Sequence, residues 1–198
     1  MNFQLSTKIV IFISGRGSNM EAILKECKNG ILRGIAEVVL VFSDKEEAKG
    51  LEKAKEFGNK TASISAKGKK RQIFDREVIN LLSDYEFDYI VLAGYMRILS
   101  DVFIKEYTGK IINIHPADTN LHQGLHAYEW AFKNKLKETK ITVHYVNEGV
   151  DTGKIIAQAT VDLRGAHTLE EVEKRGLAVE HRFYSEVLKE IIRNRTSS

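Results

Sequence analysis

The sequence predicts an α/β fold: a single domain with a doubly wound, mostly parallel sheet and an antiparallel extension near the C-terminus. Residues 8–13 (Lys-Ile-Val-Ile-Phe-Ile) and 89–93 (Tyr-Ile-Val-Leu-Ala) are nearly unbroken apolar runs, as in strands buried on both faces of a parallel sheet. Helix-patterned segments separate these runs, as βαβ crossovers require. Residues 140–146 and 154–161 are joined by so short a connection that they must pair antiparallel. The domain spans residues 1–198, with a core at about 8–192, and its length is sufficient to bury a sizeable interior.

In chain order, the first strand runs into Ser14-Gly15-Arg16-Gly17-Ser18-Asn19 and then a helix with Met20, Ile23, Leu24 and Cys27 on one face. A second strand over 38–42 precedes a helix over 46–57 and a short strand over 61–64. Lys67, Lys69, Lys70 and Arg71 form a basic run: a solvated loop, or a receiver for an anionic tail. The helix over 72–82 points Ile73, Phe74, Val78, Ile79 and Leu82 inward, and Ser100 N-caps a short helix reaching Tyr107. Residues 110–115 form the next strand, which Pro116 ends because it has no N–H to donate. A loop over 117–126 leads to a helix containing Trp130 and Phe132. In the following strand Ile141, Val143 and Tyr145 alternate with Thr142 and His144, which makes His144 a satisfied structural histidine. Thr168 and Glu171 form a capping box opening a long helix to about Ile192, with 193–198 frayed.

Composition narrows the function classes. Formal net charge is +3, from 30 Lys and Arg against 27 Asp and Glu, too near balance to imply nucleic-acid binding. Cys27 is the only cysteine, which leaves no intrachain disulfide and no multi-cysteine metal site. No apolar run approaches the ~18 residues of a membrane helix, and residues 1–7 lack a secretion-signal pattern. The expected compartment is the cytoplasm, and the expected state is a monomer or weak homodimer without membrane or nucleic-acid partners.

The chemistry concentrates at three places. Period-two alternation puts Asn113 and His115 on one face of their strand, side by side at its carboxyl end, where ligands bind in an open parallel sheet. The alternative is a capped strand end whose histidine bonds a loop carbonyl. The Gly15–Asn19 loop is either a tight strand-to-helix turn or a phosphate cradle at a helix N-terminus. It is not a dinucleotide fingerprint, because Met20 stands where the third glycine belongs. Asp151, in a glycine-flanked turn over 147–153, is turn chemistry or a partner that polarises His115 and raises its pKa. His122 and His126 have a metal-like spacing, but Gly124 interrupts any helix between them, so no metal is expected. Glu180-His181 faces either solvent or the cleft.

Four stretches, Ser14–Asn19, Leu92–Leu99, Asn113–Pro116 and Val143–Gly153, have the order and spacing of the 10-formyltetrahydrofolate-dependent formyltransferases, which this chain resembles from about Lys8 to Ile192. The resemblance implies a Rossmann-like fold. It also implies formyl transfer from 10-formyltetrahydrofolate, by direct attack of an amine through a tetrahedral intermediate, without metal. It assigns catalysis to Asn113, His115 and Asp151. It places the amine substrate's phosphate at Gly17, Ser18 and Asn19, with Glu180 also on that substrate. The folate falls to Arg71, Met96, Arg97, Ile98 and Leu99, with Asn113 and the turn of Asn147, Glu148, Gly149 and Val150. The Gly-Ser-Asn loop points to the branch whose amine is 5'-phosphoribosylglycinamide, in purine synthesis.

One stretch departs from the family. After His-Pro the family usually has Ser-Leu-Leu-Pro-Lys, an aromatic, then Pro-Gly; here Ala117-Asp118-Thr119-Asn120-Leu121-His122-Gln123-Gly124 has neither proline nor lysine. The loop is therefore expected to be mobile until ligand orders it, with Asp118 pointing outward or paired with a base. His122 is expected to take over part of the missing lysine's work on the substrate. Other amine acceptors, such as a nucleotide-linked amino sugar or methionyl-tRNA, would use the same trio, although the tRNA enzymes carry a further C-terminal domain. A formyl-folate hydrolase would pass the group to water and carry an N-terminal regulatory domain. A non-enzymatic nucleotide-binding module would need neither the Asn-x-His pair nor a folate pocket.

Overall fold

A computed structural model describes residues 6–196. In order, the chain forms β1 (Thr7–Ile13), α1 (Ser18–Asn29), β2 (Ala36–Ser43), α2 (Lys49–Glu56), β3 (Thr61–Ser63), α3 (Arg71–Leu82) and β4 (Tyr89–Leu92). It continues with α4 (Asp101–Glu106), β5 (Ile111–His115), α5 (Ala127–Lys133), β6 (Glu138–Tyr145), β7 (Ile155–Asp162) and α6 (Leu169–Thr196). The strands make one seven-stranded sheet in the order β3-β2-β1-β4-β5-β6-β7. β1 to β5 are mutually parallel; β6 runs antiparallel to both β5 and β7. The strand order reverses between β1 and β4, which opens a crevice at their carboxyl ends.

Period two divides the core. Ile9, Ile11 and Ile13 of β1 face α1, α2, α5 and α6, against Met20, Ile23, Leu51, Ala131 and Tyr184. Val10 and Phe12 face α3 and α4, against Phe74, Val78, Leu82 and Phe103. Phe12 is the centre of the second core, with ring centroids 4.8 Å from Phe42, 5.2 Å from Tyr95 and 5.9 Å from Phe103. Each such burial is worth ~1.5–3 kcal/mol. Cys27 packs on the first core, and burial raises its thiol pKa to about 12, an unreactive setting.

Several expectations shift. Ile73 is 53% exposed, because α3 turns Phe74, Asp75, Val78 and Leu82 inward, which rotates the buried face toward the Asp75 flank and leaves Ile73, on the opposite flank, in solvent. Asp75 is there to accept the N–H of Ser100 at 2.6 Å. Ser100 does hold the N-cap position of α4, but its side chain makes no capping bond and its Oγ is buried without a partner. α2 starts at Lys49, three residues later than the pattern implied, because Gly50 must approach the first loop and donate its N–H to the Gly15 carbonyl at 3.0 Å. At α6, Thr168 Oγ1 accepts the Glu171 N–H (3.2 Å), while the Glu171 carboxylate accepts the N–H of His167 (2.6 Å) as well as that of Thr168, so the capping box forms and reaches one residue further back. α6 continues past Ile192 to Thr196, helped by Arg195, whose guanidinium pairs with Asp88 at 2.6 Å; residues 197–198 lie outside the described residues. Among the described residues, no helix is long and apolar enough to cross a membrane.

Candidate active site

β5 delivers Asn113 and His115 to one face and Ile112 and Ile114 to the other. Ile112 and Ile114 are sealed into the first core, which fixes the register of the polar pair. Opposite them, β6 places His144 directly across from Asn113 and Thr142 across from His115. The turn after β6 brings Asp151 to the same point. Asn147 Oδ1 accepts both the Gly149 N–H (3.1 Å) and the Thr152 hydroxyl (2.9 Å), and Asp151 itself is left-handed at φ 51. A non-glycine residue in that region is uncommon and carries strain.

Asp151 is the hub. Its Oδ2 lies 3.2 Å from His115 Nδ1 and accepts the Gly124 N–H at 2.9 Å. Its Oδ1 accepts from Asn113 Nδ2 at 3.2 Å and lies 3.4 Å from His144 Nε2. The carboxyl pKa is lowered: burial would raise it, but the His144 bond, the His115 charge and the Gly124 N–H together prevail. His144 Nδ1 donates to the Tyr145 carbonyl at 2.9 Å, which turns Nε2 toward both Asn113 Nδ2 at 3.2 Å and Asp151 Oδ1 at 3.4 Å. His144 is buried with both ring nitrogens partnered, as expected of a satisfied histidine, and those partners also make it part of the polar site. Only the β5–β6 register, unreadable from alternation within one strand, reveals it.

His115 is 5% exposed. Its Nδ1 meets Asp151 and its Nε2 meets the His122 carbonyl at 3.1 Å, two partners that can only accept. Burial dominates and lowers its pKa; the Asp151 charge and the His122 bond push the other way. The carboxylate does push the ring upward, as the sequence implied, but desolvation of a nearly enclosed ring outweighs it.

These groups form one wall of a cavity of about 330 Å³. Met96, Arg97, Ile98, Leu99, Asn147, Glu148, Gly149 and Val150 line it together with Asn113, His115 and Asp151. Its mouth is apolar: Met96 is 58% exposed, Ile98 51% and Leu125 61%. Arg97 lies over the Phe74 ring at 4.5 Å. Arg71, at the start of α3, is exposed and not on this wall.

A second polar cluster adjoins α1. Gly17 (φ 66) caps α1, and a Cβ there would come within 2.8 Å of Met20 Cε and 3.1 Å of Gly50 Cα. Asn19 Nδ2 donates to Glu180 Oε2 at 2.6 Å, and the Tyr128 hydroxyl donates to Glu180 Oε1. Glu180 looks inward, 5% exposed, and burial raises its pKa against those two bonds. Tyr128 was not anticipated; its ring fits beside Gly176, where any Cβ would overlap it.

The departing loop is tied down. Of its two expected arrangements Asp118 takes the paired one, with Lys140 Nζ at 2.8 Å. His122 stacks on Trp130 (4.9 Å) with its Nε2 bonded to the Leu125 carbonyl at 3.0 Å, and His126 turns away to Glu129 at 2.9 Å.

A protein-family model described as formyl transferase matches residues 7–188. The chain is 39% identical to phosphoribosylglycinamide formyltransferase of Bacillus subtilis (strain 168) over 186 residues, 93% of this chain and 94% of that protein. The Escherichia coli (strain K12) protein of the same name is 38% identical, over 91% of this chain and 84% of its own. Among solved structures, glycinamide ribonucleotide transformylase 1 from Symbiobacterium toebii has a TM-score of 0.90 at 36% identity, covering 96% of this chain and 89% of that one.

Proposed function

Since the chain belongs to the formyl transferase family, we propose that it transfers the formyl group of 10-formyltetrahydrofolate to the amine of 5'-phosphoribosylglycinamide in purine synthesis. The observation that carries this reading is the His115–Asp151 pair at 3.2 Å, beside Asn113, on the wall of an apolar-mouthed cavity at the sheet's switch point. The entire chain acts as one formyltransferase domain.

The folate's aromatic portion packs on Met96, Ile98 and Leu99, its polar edge faces the 147–150 turn, and Arg97 and Arg71 attract its acidic tail. The ribotide phosphate sits on the Gly17–Asn19 loop, where N–H groups of the first turn of α1 are free to donate. Glu180 and Asn19 hold the ribose side, and His122 assists from the loop. The substrate amine attacks the formyl carbon, a new C–N bond forms, and the bond to the folate nitrogen breaks. Asn113 Nδ2 swings from Asp151 and His144 to the developing oxyanion, a donor worth ~3 kcal/mol in the transition state. His115 Nε2 moves the proton from the amine to the leaving nitrogen while Asp151 holds Nδ1. Each group is a side chain of this protein, and no metal is invoked.

Consumption of 10-formyltetrahydrofolate with and without 5'-phosphoribosylglycinamide tests the assignment. Amine-dependent turnover is expected. Equal turnover without amine would make the protein a hydrolase, and preference for an amino sugar would move the substrate assignment.

A further inference from the structure

Asp118 is a carboxylate only 9% exposed, outside the catalytic cluster and off the cavity wall. Burying a charge is costly unless donors surround it, and here they do. Lys140 Nζ reaches Oδ2 at 2.8 Å; Gln158 Nε2 reaches Oδ1 at 3.2 Å, and both the N–H and the Nδ2 of Asn120 reach it at 3.1 Å. Lys140 is on β6 and Gln158 on β7, their side chains linked at 3.3 Å. Gln158 Nε2 also donates to Thr142 Oγ1 (2.9 Å), whose hydroxyl donates to the Ala117 carbonyl (2.7 Å). Backbone and side chain at the start of the loop are therefore both fastened to the antiparallel strands.

The fastening leads directly to the reacting groups. The Asp118 carbonyl accepts the N–H of Leu121 and of His122, each at 2.9 Å, and this turn aims the His122 carbonyl at His115 Nε2. The Gly124 N–H then donates to the same Asp151 oxygen that pairs with His115 Nδ1. A histidine held at both nitrogens cannot rotate freely, and Nε2 is the one left for substrate. Pro116 is the chain's only proline, so no ring fixes φ anywhere in residues 117–126.

We propose, resting on the role given to His115 above, that Asp118 with Lys140 and Gln158 is a positioning clamp. It sets the 117–126 loop so that the His122 carbonyl and the Gly124 N–H orient the His115–Asp151 pair. The clamp also gates the reaction, because substrate must displace the His122 carbonyl from Nε2 and the anchored loop must return it after each turnover.

The test uses Asp118→Asn, Lys140→Gln, Lys140→Arg and the Asp118→Asn/Lys140→Gln double variant. Each neutralising variant should lower kcat about tenfold or more, since small misplacements of reacting groups cost that much, with the KM for 10-formyltetrahydrofolate little changed. The double variant should be no worse than the poorer single one, and Lys140→Arg should retain most activity. By NMR, the His115 ring should titrate at lower pH in the neutralising variants, because the His122 carbonyl bond that favours the charged ring is lost. Asp151, His144 and His122 are the other titratable groups facing that ring, and none is altered. Wild-type kcat with an unmoved His115 titration in Asp118→Asn would overturn the clamp. If Asp118→Asn does not fold, Lys140→Gln carries the same test, at a side chain 41% exposed. Absence of amine-dependent turnover in the wild-type protein would defeat the functional reading instead, and the NMR comparison would still decide the clamp.

Discussion

His115 is pulled two ways: burial favours the neutral ring, Asp151 favours the charged one, and burial prevails. Asp151→Asn removes the negative charge that favours the protonated ring, so the His115 titration should fall further below 6.5, the ordinary histidine value. NMR titration of both proteins checks this, and an unchanged midpoint would mean the two groups are not coupled. The lowered pKa also carries a stability consequence. The native ring binds protons less readily than the unfolded one, so its contribution is complete above pH 6.5 and lost as pH falls through the native pKa. Urea melts should show stability declining below pH 6.5, with a shallower decline over that window in His115→Gln. For catalysis, His115→Ala should reduce kcat by about 10²-fold or more while folate affinity, measured by fluorescence titration, changes little.

Among the elements, α1 and α6 meet at the proposed ribotide site, and two glycines make their placement possible. Gly17 caps α1 in the left-handed region at φ 66. Gly17→Val would combine that strain with a clash against Met20 and Gly50. The KM for the ribotide should rise far more than that for the folate; equal rises in the two constants would show that the loop does not hold the phosphate. Gly176 on α6 gives room for the ring of Tyr128, which donates to Glu180. Gly176→Ala should therefore displace Tyr128 and raise the ribotide KM, although alanine is the better helix former by ~1 kcal/mol. Thermal unfolding alongside kinetics separates the two effects.

Across the whole molecule, α6 lies on the face of the sheet that carries α1, α2 and α5, and one hydroxyl fastens it at the switch region. Tyr184, fully buried, places its hydroxyl 3.0 Å from the carbonyls of both Leu92 in β4 and Ile112 in β5. Tyr184→Phe should cost ~1 kcal/mol of stability, the usual net value of such a bond, measurable by denaturant titration. Because Ile112 precedes Asn113 in the strand, a looser β4–β5–α6 junction would also appear as a lower kcat. Unchanged stability would mean the two carbonyls are satisfied within the sheet ladder alone.

The sequence by itself determined the α/β class, the parallel core, the antiparallel end and the strand that presents Asn113 and His115. Each of these depends on local periodicity: period two on strands, 3.6 on helices, and an apolar run where both faces are covered. Asp151 was legible only as a glycine-flanked turn, because its distance to His115 depends on how β6 and the turn fold back on β5. The tertiary structure decided that distance, brought His144 opposite Asn113, turned Ile73 outward in favour of Asp75, and tied Asp118 to Lys140 across 22 residues. It also settled the direction of the His115 pKa, since desolvation is a property of the enclosing fold that no pair of residues reveals. Contacts between segments distant in sequence, and the burial they produce, leave no periodic trace in the chain.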